Sequence, residues 1–270
     1  MNSTIIEHKN WDPKVYNEKS DFQRELAWQF INKHAELKDE DSILDIGCGD
    51  GFITLGLANK VKKRVVGIDL SKDMVEFANK QASEGRVNNI EFLEHSAEDF
   101  SLGKFSKIFS FNCLHWVQNQ LKVLQNIKLA LEDSNLNSRA YLLIPVRSEE
   151  FHNAIDAATV IALKNNSLKY FKNPRKFLNI ESYKKTITES GLVTELIESN
   201  RYFRHFHTRE ALSEFIAMAL PQVRNMSETQ KQEFMNDLMD HYLGSINAAD
   251  RDPPKLYVQI MEVIVKLPEF

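Results

Sequence analysis

The sequence predicts a doubly wound α/β fold, a mostly parallel sheet with helices on both faces. Three observations carry this. Short β-branched, apolar runs alternate with amphipathic stretches through the first half of the chain. Those runs are apolar throughout rather than at every second position, the pattern of strands buried on both faces. The first run leads straight into a cluster of glycines and then a helix. In such sheets ligands sit at the carboxyl ends of the strands, so the loops after strands are where function is expected.

The elements follow in order. Ser42–Ile46 (SILDI) is the first strand, with a helix after the glycines to about Lys60. Arg64–Asp69 is the second strand, and Ser71 caps a helix carrying Met74, Val75, Phe77 and Ala78. Ile90–Leu93 and Lys107–Asn112 are the third and fourth strands. Residues Gln118–Glu132 place Leu121, Leu124, Ile127, Lys128 and Leu131 at helical spacing, and Ala140–Val146 is the fifth strand. Beyond it the character changes. Glu149 to about Leu178 reads as largely helical and rich in aromatics. Ser182–Glu189 is a helix closed by Gly191, and Val193–Phe203 alternates like a strand. Thr208–Ala219 and Ser227–Ile246 are amphipathic helices, the latter opened by Ser227 and Gln230 as a capping box; Leu256–Leu267 is a closing β-rich run. This divides the chain into N-terminal lid helices (1–40), an α/β core (41–147) and a helical cap inserted among the last strands (148–270).

Composition bounds the function. With 270 residues there is chain enough for a full core. Thirty-four Lys and Arg stand against 38 Asp and Glu, a formal charge of -4, which disfavours nucleic acid as the main partner. No segment approaches the roughly 18 apolar residues that span a bilayer, and the polar start MNSTIIEHKNWDP has no signal-peptide pattern. Two cysteines, Cys48 and Cys113, rule out a disulfide framework or an all-cysteine zinc site and suit a reducing cytoplasm. His205 and His207 form an H-x-H without a third ligand, so no metal is expected.

The strongest signal is ILDIGCGDGF, residues 43–52. Gly47, Gly49 and Gly51 between a buried strand and a helix allow a tight turn and close approach of a ligand to the backbone. The spacing departs from G-x-G-x-x-G, with Phe52 in the sixth position. It is a poor phosphate cradle, against a nicotinamide oxidoreductase, and a rest for an uncharged ligand tail. Asp45 precedes the glycines, where a carboxylate can orient the loop and attract a cation. Asp69 ends the second strand, 22 residues after Gly47, where a carboxylate can accept both ribose hydroxyls of a nucleoside. Ser96–Ala97–Glu98–Asp99 follows the third strand, where an acid or amide can meet an adenine amino group; a solvated acidic loop is the alternative.

This pattern resembles the class I S-adenosylmethionine-dependent methyltransferases at the level of motifs over roughly residues 40–147. The resemblance implies a Rossmann-like, seven-stranded, mostly parallel sheet with a reversed last strand and an α-helical lid. It also implies S-adenosylmethionine against Tyr16, Asp45, Gly47, Cys48, Gly49, Asp69, Leu70, Met74, Ala97, Glu98 and Asn112. The segment SFNCLHWVQN after the fourth strand is similar to juvenile hormone acid methyltransferases and, more loosely, to trans-aconitate methyltransferases. The likeness extends to Tyr16-x-x-x-Ser20-x-x-Gln23, to Pro221–Asp240 and to the closing YVQIMEVIVKLPEF. It implies O-methylation of a small apolar acid whose carboxylate is held by Gln23 and Trp116. Ser106 and Asn112 depart from that family's usual Asp and Tyr.

Plainer readings stand beside each of these. Gln23 and Ser20 have the spacing of a capping box. Trp116 can be a core or lid aromatic, and His115 either a base or a structural histidine. Cys48 and Cys113 read as small buried residues rather than nucleophiles, and Trp11 with Tyr16 as a flap over the cofactor. The aromatics Phe151, Tyr170, Phe171, Phe177, Tyr202, Phe203, Phe206 and Phe215 suit an apolar tail or ordinary packing. Open alternatives are amine N-methylation, methylation of a carrier-bound acyl group, and a regulatory protein that binds S-adenosylmethionine without turnover. No oligomeric state follows from the sequence.

Overall fold

A computed structural model describes residues 13–165, 167–168 and 171–269. Trp11 and Tyr170 lie outside the described residues. The core alternates strands and helices: β1 (Ile43–Ile46), α3 (Phe52–Ala58), β2 (Val65–Asp69), α4 (Lys72–Glu84), β3 (Ile90–Glu94), β4 (Lys107–Phe111), α5 (Gln120–Ala130) and β5 (Arg139–Val146). Two helices precede it, α1 (Pro13–Lys19) and α2 (Asp21–His34). After it come α6 (Glu149–Lys164), α7 (Ile180–Ser190), β6 (Val193–His205), α8 (Arg209–Ala219), α9 (Glu228–Ser245) and β7 (Lys255–Lys266).

The seven strands form one sheet in the order β3-β2-β1-β4-β5-β7-β6. Pairs β1–β2, β1–β4, β2–β3 and β4–β5 are parallel, with Ile43 opposite Val65 and Lys107. Every residue of β1 is buried, as the unbroken apolar runs require. The strand order reverses between β1 and β4, which places the carboxyl ends of those two strands at the topological switch point where ligands bind in open α/β sheets.

The described residues fall into two compact units. The first draws on Met1–Ile144, Leu178–Ser199 and Met261–Phe270, the second on Pro145–Phe177 and Asn200–Ile260. The N-terminal helices therefore belong with the α/β core, and α7 packs against α5 in the same unit. Helix α2 is fixed from two sides. The Trp28 ring occupies the space where a Cβ on Gly56 of α3 would stand, and Phe30 meets Tyr141 of β5 edge-on at 6.4 Å.

The second unit is built around α6 against α9. Its helix starts as Ser227 and Gln230 predict: the Ser227 hydroxyl accepts from the Gln230 N–H at 3.3 Å, and the Gln230 side chain accepts from the Ser227 N–H at 3.0 Å. The long helical reading of Glu149–Leu178 is corrected. Helix α6 stops at Lys164 and residues 171–179 are not helical, since Asn165 ends the helix and Asn173–Pro174 disfavours a restart. Several of the aromatics pack on neighbouring rings: Phe206 on Phe215 at 5.2 Å, Phe151 on Tyr242 at 5.9 Å and Phe177 on His152 at 4.8 Å.

Candidate active site

A cavity opens at the carboxyl ends of β1 and β4. It is lined by Tyr16, Ser20, Gln23, Arg24, Ala27, Asp45, Gly47, Cys48, Gly49, Asp50, Ile53, Phe111 and Asn112, and encloses about 410 Å³, part of it open to solvent. All these residues belong to the first unit.

The glycine loop forms its floor. The Gly47 and Cys48 N–H groups both donate to the Ile68 carbonyl, at 2.8 and 3.0 Å, tying the loop to the end of β2. Asp69 completes the fastening: its carboxylate accepts from the Gly49 N–H at 3.0 Å and the Ser71 N–H at 2.8 Å. Whatever Asp69 does for a ribose, it also holds the loop. The glycines divide into two kinds, although the sequence alone treats them alike. At Gly47 (φ +77°) a Cβ would lie 2.3 Å from Cys113 Sγ, so glycine there serves packing. At Gly49 (φ +54°) a Cβ would meet only the Tyr16 ring at 3.7 Å, so glycine there leaves room in the cavity.

Asn112 lies across from the loop with φ +54°, its N–H donating to the Leu143 carbonyl at 3.0 Å. Asparagine tolerates this left-handed conformation better than bulky residues do.

Helices α1 and α2 form the remaining wall, held by an ion pair that the sequence does not reveal. Arg24 Nη2 lies 2.5 Å from Asp50 Oδ2, which also accepts from the Asn17 amide at 2.9 Å. The guanidinium sits over the Phe52 ring at 3.9 Å. Phe52 is 44% exposed and does not line the cavity, which corrects its expected role as a rest for a ligand tail. The capping box expected between Ser20 and Gln23 is also absent. Ser20 makes no side-chain cap bond, and Ser20 Oγ, Gln23 Oε1 and Arg24 Nε are buried with no hydrogen-bond partner among the described residues.

The titratable groups are set chiefly by burial. Asp45 is 2% exposed and accepts from the Thr54 hydroxyl at 2.6 Å. Burial pushes its carboxyl up to about 7 against the pull of the Thr54 bond, with the Asp69 charge pushing the same way as burial. Burial, then Asp69, raises both thiols, Cys113 to about 12 and Cys48 well above its ordinary value. Burial, then Asp50, raises the Tyr16 phenol. These three groups are protonated at neutral pH, in keeping with cysteines that pack rather than attack.

The structure thus brings Tyr16, Asp45, Gly47, Cys48, Gly49, Asn112 and Gln23 together around one cavity, with Asp69 bonded to its floor. Other expected residues stand elsewhere. Leu70 is half exposed, Met74 is buried in α4, and the Ala97 carbonyl accepts from the Asn126 amide at 3.2 Å. Glu98 accepts from the Asn119 N–H at 2.8 Å, at the start of α5. His115 and Trp116 occupy a 3-10 turn (Leu114–Trp116) with their rings 5.3 Å apart, and neither lines the cavity. Sequence reasoning missed Asn17, Arg24 and Asp50. Among the described residues no group of His, Cys, Asp and Glu is arranged to hold a metal, and no helix is long and apolar enough to cross a membrane.

Residues 43–134 match the family model described as a methyltransferase domain. A putative methyltransferase of Invertebrate iridescent virus 6 is 26% identical over 251 residues, 88% of each chain. The juvenile hormone acid O-methyltransferase of Bombyx mori is 32% identical over 128 residues, 44% of this chain and 46% of that one. Over a shorter stretch a tRNA (uracil-5-)-methyltransferase homolog of Mus musculus is 41% identical, covering 32% of this chain and 14% of that one, so the core alone does not select an acceptor. In fold the chain is similar to the YcgJ protein of Bacillus subtilis, with a TM-score of 0.65 at 15% identity over 91% of this chain and 100% of that one. The cavity fits S-adenosylmethionine as cofactor: a buried carboxyl, Asp45, offers a counter-charge to its cationic groups, and Gly49 leaves space beside the loop. The chain is thus an S-adenosylmethionine-dependent methyltransferase, similar in its domain at residues 43–134 and in its fold to the class I enzymes.

Proposed function

We propose that this enzyme methylates the carboxylate of a small-molecule acid, giving a methyl ester and S-adenosylhomocysteine. The observation that carries the reading is Gln23 in the cavity wall, its side-chain oxygen buried without a partner among the described residues. The Cys48 thiol and the Tyr16 phenol keep their protons, Asp50 is committed to Arg24 and Asn17, and Asp45, bonded to Thr54, is half protonated near pH 7. The chemistry asks least of these groups when the acceptor arrives already ionised. A carboxylate, with an ordinary pKa of about 4, does so at neutral pH, whereas an amine must first lose a proton.

S-adenosylmethionine supplies an electrophilic methyl group, so that an O–CH3 bond forms as C–S breaks and the sulfonium becomes a thioether, with no proton moved. The chain's own task is to orient the oxygen and exclude water, which can supply on the order of 7–11 kcal/mol at best. Gln23 from α2 and Trp116 from the turn after β4 are assigned to the acceptor carboxylate, as in the juvenile hormone acid methyltransferases that the chain resembles. On the same reading Asp69 takes the ribose, Leu70 and Met74 flank the adenine, and Ala97 and Glu98 meet its amino edge. The acceptor is a small molecule rather than nucleic acid, in keeping with the net charge of -4, and two unpaired thiols suit a reducing cytoplasm.

Labelled-methyl transfer should be screened over short and long carboxylic acids, amines, carrier-bound acyl groups and tRNA. The expected product releases its label as methanol in mild alkali, as an ester does. A label that survives alkali, on an amine or on RNA, refutes the assignment.

A further inference from the structure

We infer that Arg147, Arg175 and Arg224, with the Nε2–H of His152, form a binding site for a doubly charged oxyanion within the second unit. It draws on none of the residues lining the cavity described above, all of which belong to the first unit, and it stands whether or not the acceptor is a carboxylic acid. Stretches distant in the sequence supply it: the residue after β5 (Arg147), the non-helical segment 171–179 (Arg175) and the 3-10 turn Pro221–Asn225 (Arg224). His152, near the start of α6, is 7% exposed. Its Nδ1 accepts from the Ser148 N–H at 3.0 Å, so the proton of the neutral ring sits on Nε2 and stays available to a ligand. Phe177 joins His152 to Arg175: its ring stands edge-on to His152 at 4.8 Å and lies 5.5 Å beneath the Arg175 guanidinium. Phe151 also meets the His152 ring, at 5.5 Å.

The charges in this cluster do not balance. Asp156 is the acid that offsets Arg175, and its carboxylate is already bonded to Arg147 Nη2 at 2.6 Å. Among the described residues acting on Arg175, three guanidiniums counting its own are thus set against one carboxylate, an excess of two positive charges. Burial lowers Arg175 to about 10, and Arg224 and then Arg147 push the same way. Burial, then Arg175 and Arg147, lowers His152 to about 4, so its ring is neutral at pH 7. Cations gathered away from water destabilise the folded chain unless an anion joins them. Guanidiniums take carboxylate or phosphate oxygens two at a time, and a neutral imidazole N–H donates to an anion without adding charge. The fitting ligand is therefore an oxyanion group of two charges, as in phosphate, either free in solution or carried by the small molecule on which the enzyme acts. The aromatic rings beside it leave less water to screen these contacts.

The test titrates inorganic phosphate into the full chain by calorimetry and follows the His152 ring by NMR at neutral pH, with acetate as the singly charged control. Phosphate should bind more tightly than acetate and move the His152 ring resonances. Arg175→Gln and Arg224→Gln should each weaken phosphate about tenfold. Arg175→Lys keeps the charge but loses the planar fork, and should weaken it severalfold even where a glutamine variant fails to fold. If the group belongs to the substrate, phosphate competes with that substrate in turnover; if it is a free ion, phosphate binds without competing. Phosphate that binds no better than acetate, that leaves the His152 resonances in place, or that binds the variants as tightly as the parent overturns the site. The binding measurements need no turnover, so they stand apart from the choice of acceptor.

Discussion

Asp45→Asn should remove two opposed pH dependences at once. The carboxyl is 2% exposed, and burial raises it to about 7 while Thr54 pulls it back and the Asp69 charge adds to the rise. Against an ordinary Asp near 3.9 the shift is about 3 units, or roughly 4 kcal/mol against the ionised form in the folded protein. The sign follows from proton binding. Between about pH 4 and 7 the unfolded chain has released this proton and the folded chain still holds it, so the residue's contribution to stability is full below pH 4 and lost as pH rises to 7. Between pH 5 and 7 the loss amounts to roughly 2–3 kcal/mol. Binding of a cationic ligand runs the other way, since only the ionised carboxylate is a counter-charge. Affinity should rise up to about tenfold per pH unit and level off above pH 7. Asparagine carries no proton to release, and its Oδ1 can still accept from Thr54. Urea unfolding of the ligand-free protein and calorimetry with S-adenosylmethionine, each from pH 5 to 8, should show Asp45→Asn less sensitive to pH than the parent by these amounts. Equal slopes in parent and variant would refute the raised carboxyl.

The two central glycines should separate in the same assays. Gly47→Ala, with φ +77° and a Cβ 2.3 Å from Cys113 Sγ, should cost roughly 3 kcal/mol or more of stability. Gly49→Ala, whose Cβ meets only Tyr16 at 3.7 Å, should cost about 1 kcal/mol and instead weaken binding of S-adenosylhomocysteine; unaltered binding would count against the cavity. Asp50→Asn leaves the buried Arg24 charge without its close partner and should cost about 3–5 kcal/mol by urea midpoint, whereas the double replacement Arg24→Met with Asp50→Leu should cost less than the single change.

What the sequence makes legible is local. The strands of the core fall within a residue or two of their apolar runs because buried parallel strands impose a continuous pattern that needs no knowledge of the partner strand. Asp45, Gly49 and Asp69 are legible for the same reason: a strand end, a loop and the next strand end stand at fixed offsets. The Arg24–Asp50 pair is not, because it joins residues 26 positions apart, and no periodicity links a helix before the sheet to the tip of the glycine loop. Phe52 is misread for a related reason. Its place in the motif suggests the ligand side, but the helix that starts there turns its ring outward beneath Arg24. Glu98 is legible as an acid beyond β3, though its bond to the start of α5 depends on tertiary placement.

The spacing S-x-x-Q occurs twice, at Ser20–Gln23 and Ser227–Gln230, and only the second forms a capping box. The difference lies in what precedes each serine. Ser227 enters α9 from extended backbone, with φ -63° and ψ 160°, the conformation that turns an N-cap hydroxyl toward the third N–H of the helix. Ser20 follows α1 directly, and the junction holds it at φ -93° and ψ 15°, outside that region. Its hydroxyl is thereby withheld from the helix and left buried in the cavity wall with Gln23 and Arg24. The same four-residue pattern thus stabilises a helix where the chain arrives extended, and leaves buried polar groups in the cavity wall where one helix runs into the next.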